Sequence, residues 1–356
     1  MRLLSSAFSA APRDNSWRHR RQALDRDVVL TMSTDTAAAR GAKARAARFA
    51  VRLESLGVLL LLIVVLAILS PYFLSVSNFL NILLATSVIG VLAYGATFVI
   101  AAAGIDLSLG SVLGLSGVVG ALSINELGLP WPIGLVICLA TGAFCGWING
   151  LLNAKAGIPA FIVTLGMLGV ARGLALVLTN GVPVYGLADA VVYIGQGRPF
   201  GVPFPVFVFL AAGAVCHFVL AYTRFGKYAV VIGDNDGAAR AMGVRVQRHR
   251  IALYALSGTM AGLAGLLFMA RTNAGDPTAG FNYELTAITA TILGGTNLFG
   301  GRATIIGTLI GALIMGVLQN GLNLLAVSSF YQQMAIGTVL VLAVWLDQVN
   351  RARSQR

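Results

Sequence analysis

Few side chains in this sequence could do chemistry, and most that could are embedded in apolar surroundings. Asp106 and Ser108 stand in GIDLSLG (104–110), a polar turn bounded by glycines between two long apolar runs. GGTNLFGG (294–301), with Asn297, has the same design. Such a turn is where a membrane helix can break and offer backbone groups and a polar side chain to a solute. It serves equally well as an ordinary inter-helix turn, with Asp106 as an N-cap. Arg172 lies inside an apolar run, where a charge is costly and needs a partner or water. It either pairs, Asp106 being the candidate, or sits near an interface and snorkels. Asn149, Asn153, Gln319, Asn320 and Asn323 either line a hydrophilic path or bond neighbouring helices. Asp106, Ser108, Arg172, Asn297 and Asn320 are therefore the candidates for a translocation path.

Covalent chemistry finds no support. His19, His217 and His249 lack metal-ligand spacing, and Cys138, Cys145 and Cys216 fall within apolar runs, where free cysteine behaves as a small hydrophobe. Neither metal, disulfide nor cofactor is expected. No GxxxxGK[ST] string occurs, since Gly226-Lys227 is followed by Tyr228. A chain like this is not an enzyme, and any ATPase it uses is a separate subunit.

The elements that must position these residues are membrane helices. Of 356 residues, 57% are hydrophobic and 11% charged, whereas about 25% are charged in soluble domains. Mean hydropathy is +0.83. An all-α polytopic membrane protein is predicted. Glycine is abundant, at 42 residues, and bilayer helices associate through small residues. Gly142/Gly146/Gly150, Gly110/Gly114 and Gly307/Gly311 have the spacing for close helix packing.

The +12 charge does not indicate nucleic acid, because its placement follows the positive-inside rule. Eleven of the 25 Lys and Arg precede residue 53, six lie between 224 and 250, and Arg351, Arg353 and Arg356 end the chain. The 222–250 stretch sits between apolar runs of membrane length, so its positive excess makes it cytoplasmic. Within it GAARAMG (237–243) reads as a short helix, with cap chemistry from Asp234, Asn235 and Asp236 and a closing glycine.

Uncharged runs of 51 residues (55–105) and 43 residues (303–345) each hold two spans. The predicted spans are 56–74, 79–102, a third ending near Asn125, 131–153, 159–179, 203–222, 251–270, 282–293, and two within 303–345. An outer loop is expected at 271–280, and 282–293 is short enough to be partly re-entrant. About ten transmembrane helices with cytoplasmic N- and C-termini satisfy every charge cluster. The organisation expected is a disordered basic cytoplasmic tail over 1–52, with Met32 as an alternative start, a transmembrane domain over 53–348 with a cytoplasmic loop at 224–250, and a basic cytoplasmic tail over 349–356. Aligning 104–122 with 295–313 gives a faint internal echo, with Gly110 opposite Gly301 and Asp106 opposite Asn297.

Five strings carry a family resemblance: AAAGIDLSLGSVLGLSGVVGA (101–121), IPAFIVTLGMLGVARGLAL (158–176), YAVVIGDNDGAARAMGV (228–244), AITATILGGTNLFGGRATIIGTLIGALIMGVLQNGLNLL (287–325) and VSSFYQQMAIGTVLVLAVWLDQ (327–348). Together they resemble the permease subunits of ribose- and xylose-type ABC sugar importers, over roughly 55–348. The superfamily also holds branched-chain amino-acid permeases, whose corresponding motif resembles INFAHG rather than GIDLSLG. The resemblance implies a multi-pass protein of the bacterial inner membrane, surrounded by lipid, that passes a monosaccharide received from a periplasmic sugar-binding protein. It implies a second permease subunit, as a homodimer or a pair, and a cytoplasmic ABC ATPase subunit docked on a coupling helix. That helix is Asn235 to Gly243, and the contact set is Asp234, Asn235, Asp236, Ala238, Ala239, Arg240 and Gly243. Two positions depart from the family pattern: Gly237, where an acidic residue is usual, and Asp234, where glycine is common.

Two alternatives stand beside this reading. An ion-coupled secondary transporter would want buried carboxylates, for which Asp106, Glu284 and the peripheral Asp276 are available. An ABC permease for another small polar solute is compatible with the same turns. A membrane scaffold without transport would leave the polar glycine turns unexplained.

Overall fold

The computed structural model describes residues 55–354, so the predicted 1–52 tail lies outside the described residues. Backbone in hydrocarbon must satisfy its hydrogen bonds internally, and this apolar chain is accordingly helical almost throughout. In chain order the helices are α1 (Ser55–Leu69), α2 (Val76–Ala101), α3 (Leu109–Asn125), α4 (Trp131–Lys155), α5 (Ala160–Thr179), α6 (Asp189–Gln196), α7 (Phe204–Tyr222), α8 (Arg224–Asp234), α9 (Asp236–Ala241), α10 (Val246–Thr272), α11 (Tyr283–Leu293), α12 (Ile305–Leu324) and α13 (Ser329–Ser354). Six of them, α2, α4, α5, α7, α10 and α12, are long and apolar enough to cross a membrane. Four shorter apolar helices accompany them: α1, α3, α11 and the Ser329–Trp345 part of α13.

The predicted 224–250 loop and the C-terminal tail differ from expectation. The predicted 224–250 loop is mostly helical, containing α8, α9 and the first turn of α10, which begins at Val246 rather than 251. Val246 is buried there, so the basic residues that read as loop ride on an anchored helix. α13 continues to Ser354, through the start of the predicted 349–356 tail.

α2 is the central column. Every residue from Thr86 to Ala101 is buried, which is why its apolar residues show no preferred face. Tyr94 of α2 stacks on Phe209 of α7 with ring centroids 5.3 Å apart and planes 7° apart. Each ring lies over a glycine of the opposite helix: a Cβ at Gly90 would strike Phe209, and one at Gly213 would lie 2.6 Å from the Tyr94 hydroxyl oxygen.

α4 and α10 touch backbone to backbone over several turns. A Cβ on Gly142 would meet the Gly258 carbonyl, one on Gly146 the Tyr254 carbonyl, and one on Gly150 would sit 2.6 Å from Ile251 Cα. The predicted packing role of this glycine series is met in full, with Gly258 and Gly262 answering from α10. Between bilayer helices such contact replaces the hydrophobic drive that lipid removes.

At one end of the bundle, β1 (Val184–Tyr185) and β2 (Ala274–Gly275) form a two-stranded antiparallel ribbon. The Asn125 side-chain amide donates to Tyr185 O at 2.7 Å, tying the ribbon to the end of α3. From β2 the chain does not form the predicted outer loop over 271–280. It turns back into the bundle along α3: Gly275 packs on Val118 and Ala121, Ala279 on Gly114, and Gly280 on Gly110. From Val118 to Gly110 this descent covers about 12 Å at the helical rise per residue. α11 then starts inside the bundle, which explains why it needs only 11 residues and supports the partly re-entrant reading of 282–293.

Candidate functional site

Asp106 is the centre of a buried polar group. It is 3% exposed. Its Oδ1 accepts from the Ser108 backbone N–H at 3.1 Å and the Ser108 hydroxyl at 2.6 Å, and its Oδ2 from the Ser257 hydroxyl at 3.0 Å. The Asn149 side-chain amide in turn donates to Ser108 Oγ at 2.9 Å. The Tyr254 hydroxyl donates to the neighbouring Ile105 carbonyl at 3.2 Å. One turn thus gathers groups from α4 and α10, each chosen to satisfy a buried carboxylate that would otherwise be costly. Asn149 Oδ1 is left buried without a hydrogen-bond partner. Beside this group lies a cavity of about 140 Å³ lined by Gly104, Asn153, Arg250 and Tyr254 among others.

Of the two readings of Arg172, pairing with Asp106 does not form. Asp106 is satisfied by hydroxyls and a backbone N–H, while Arg172 Nη1 donates to the carbonyls of Pro277 and Ala279, the latter at 2.8 Å. The physical reason is the non-helical 275–280 segment packed against α3. Irregular backbone inside a bundle has carbonyls with no helical partner, and a guanidinium brought in on α5 satisfies two at once. Glu284 follows in the first turn of α11, 8% exposed and against Gly110. A carboxylate there also benefits from the exposed N–H groups of the helix start.

The remaining path candidates are not gathered at Asp106. Asn297 shapes its own turn: its Nδ2 donates to Gly300 O at 2.8 Å, and its Oδ1 accepts from Phe299 N at 3.1 Å. Asn320 of α12 donates to Asn78 Oδ1 of α2 at 2.8 Å and links two helices. Ser257 and Tyr254 were not singled out in the sequence, because a hydroxyl within an apolar run carries no pattern of its own.

Both glycine turns begin with the same device. α2 closes with Gly104 N on Val99 O and Ala103 N on Ile100 O, and α11 with Thr296 N on Thr291 O and Gly295 N on Ile292 O. Ala103 and Gly295 take the left-handed conformation this closure requires, with φ of 57° and 83°. The internal echo is therefore out of register: Ala103, not Gly104, corresponds to Gly295. Gly110 is already in α3, whereas its sequence counterpart Gly301 is still in the turn before α12.

At the end of the bundle that carries these turns, α9 is a short helix fastened at both ends. Asn235 caps it by accepting from Ala238 N at 2.9 Å. Gly243, at φ 81°, closes it, with its N–H on Arg240 O and that of Val244 on Ala239 O. Asp236 meets Arg240 at 3.0 Å and Arg250 of α10 at 3.8 Å. Ala239 is buried, and Asp234, Asn235, Gly237, Ala238, Arg240 and Met242 are exposed. A Cβ at Gly237 would find only Asn235 Oδ1, at 3.4 Å, so that departure from the family pattern has a steric explanation in neither direction.

Residues 78–344 match the family described as branched-chain amino acid transport system / permease component. The chain is 45% identical over 298 residues, 83% of its length and 92% of the relative's, to the ribose import permease protein RbsC of Escherichia coli strain K12. It is 43% identical over 296 residues, with the same coverages, to the RbsC of Bacillus subtilis strain 168. To the xylose transport system permease protein XylH of Haemophilus influenzae it is 33% identical, covering 79% of this chain and 91% of the relative. No solved structure matches. With the family match covering most of the chain and the relatives nearly covered end to end, the protein belongs to this family of transport permease components.

Proposed function

We propose that this protein is the transmembrane permease subunit of an ATP-driven importer that passes a monosaccharide of the ribose or xylose kind across the bacterial inner membrane. The observation that carries the mechanism is α9: a short helix, capped at both ends and buried at Ala239, whose other face is exposed. Such an element suits the docking of a separate ATPase subunit. Binding and hydrolysis of ATP there would shift the permease between two states by their difference in affinity for the ATPase's nucleotide states. The names of the similar ribose and xylose permeases support the substrate class.

The topology in this reading is ten helices with both ends of the chain in the cytoplasm. Arg224 to Arg250 then face the cytoplasm together with both glycine turns, in keeping with the positive-inside rule. The β1–β2 ribbon and α6 lie toward the periplasm, where a sugar-binding protein delivers its load. A second copy is the expected partner in the membrane, and Gly166, Gly169 and Gly173, with nothing within 4 Å, leave room for close approach along α5. In this reading the buried Asp106, Ser108 and Asn149 hold the turn beside the cavity that Asn153, Arg250 and Tyr254 line.

The test is uptake of labelled ribose and of labelled xylose into proteoliposomes holding the permease with its ATPase. Uptake that requires ATP and a loaded binding protein supports the proposal. Uptake collapsed by an ionophore with ATP intact would support ion coupling instead. Ala239→Pro, which breaks α9, is expected to abolish uptake with membrane insertion intact; normal uptake would remove α9 from the mechanism.

A further inference from the structure

Besides buried Ala239 and the 242–245 link into α10, two contacts of unequal stiffness join α9 to the bundle. One is the Asp236–Arg250 pair, at 3.8 Å with both side chains partly exposed, a contact class worth about 0–1 kcal/mol. The other is the last turn of α8, immediately before the Asn235 cap. There three backbones meet without room for a side chain. A Cβ on Gly233 would strike the Ala101 carbonyl at the end of α2 and come within 2.8 Å of Gly301 N. A Cβ on Gly300 would come within 2.8 Å of both Ala103 N and Gly233 Cα. Gly301 N donates to Ala101 O at 3.1 Å, a hydrogen bond between the turn before α12 and the end of α2. Gly300 and Gly301 have φ of 84° and 78°, values other residues rarely adopt.

We propose that Gly233, Gly300 and Gly301 weld the end of α8, the end of α2 and the 297–301 turn into one rigid unit, making them positioning residues for coupling. Interfaces packed to this density shift as a body rather than deform. A displacement of α9 is therefore handed to both glycine turns at once. Through Ala101–Gly104 it reaches Asp106, and through Gly301–Thr304 it reaches the start of α12. Asn297 holds the second turn in shape for this task, and the tilted contact of the Phe98 ring of α2 with that of Phe225 of α8, centroids 6.1 Å apart, anchors the other end of α8.

The inference rests on the reading of α9 as the ATPase dock, and the experiment separates the two. In the wild-type importer with its ATPase and binding protein, hydrogen–deuterium exchange is followed without nucleotide, with ATP, and after hydrolysis. Peptides spanning 229–235 and 297–303 are expected to keep the same protection in every state. Exchange faster by about tenfold or more in one state, as in local opening, would overturn the weld. In parallel, Gly233→Ala is expected to retain the co-purifying ATPase while uptake falls about tenfold, within the usual span of coupling energies, and ATP hydrolysis stops responding to the loaded binding protein. Uptake within about twofold of wild type, the range of an inconsequential substitution, or loss of the ATPase itself, would each defeat the proposal. Should Gly233→Ala not reach the membrane, the wild-type exchange data decide alone. A wild type without ATP-dependent uptake would defeat the transport reading and leave the exchange result to judge the weld.

Discussion

Asp106→Ala and Asp106→Asn separate the shape of the buried carboxyl from its charge. Three donors converge on it: the Ser108 N–H, the Ser108 hydroxyl and the Ser257 hydroxyl. Alanine leaves all three without their acceptor. The N–H cannot turn away, so it costs about 1–3 kcal/mol, while each hydroxyl can rotate and forfeits only about 0.5–1.5 kcal/mol. The sum is about 2–6 kcal/mol. Asparagine keeps an oxygen for both Ser108 donors and offers N–H to Ser257, whose hydroxyl can accept as readily as donate. Its cost is about 1 kcal/mol, that of one exchanged hydrogen bond. In purified protein the alanine variant should melt on the order of 10 °C lower, at roughly 2–4 °C per kcal/mol, and the asparagine variant close to wild type. Uptake should follow the same order. If Asp106→Asn melts with Asp106→Ala, geometry is not what the site needs, and the negative charge itself holds α3, α4 and α10 together.

Three further outcomes are expected. Gly146→Leu drives a side chain into the Tyr254 carbonyl and should cost about 3 kcal/mol or more, seen as loss of monodisperse protein, whereas Gly337→Leu enters open space and should not. Arg172→Met strips the Pro277 and Ala279 carbonyls of their donor, at about 1–3 kcal/mol each, so a cysteine placed at Thr278 should react faster with an impermeant maleimide; Arg172→Lys should fall between Met and wild type. Asn235→Ala removes the α9 cap at about 1 kcal/mol, which should lower recovery of the co-purifying ATPase about fivefold, and Asn235→Ser should restore it.

Much of the fold is legible because the bilayer allows few solutions. Pro130, Pro159 and Pro203 mark the starts of α4, α5 and α7 to within a residue, since proline fits a helix start and little else within a span. α9 is legible for a similar reason, because Asn235 and Gly243 are the residue types its two ends demand. The start of α10 is not: Arg245, Arg248, His249 and Arg250 look like loop, and only Val246 buried beneath them shows that the helix has begun.

The candidate site divides along the same line. Asp106, Ser108 and Asn149 stand out as polar residues where polarity is expensive, but the partner on α10 is a serine with no pattern in its surroundings. Arg172 shows the deeper difficulty. Two buried charges in a sequence invite pairing, since each alone is costly, yet backbone carbonyls are acceptors that a sequence never displays. RTNAGDPTAG reads as a surface turn, and nothing in its composition says that it enters the bundle. The signal lies instead on α3, where Gly110 and Gly114 present a bare face that the backbone of Ala279 and Gly280 fills, while Gly117 meets Gly265 of α10. A glycine face of that kind admits backbone of any conformation. Where the chain opposite is irregular, its unpaired carbonyls need a donor, and a half-buried arginine on a neighbouring helix is the group that can reach them.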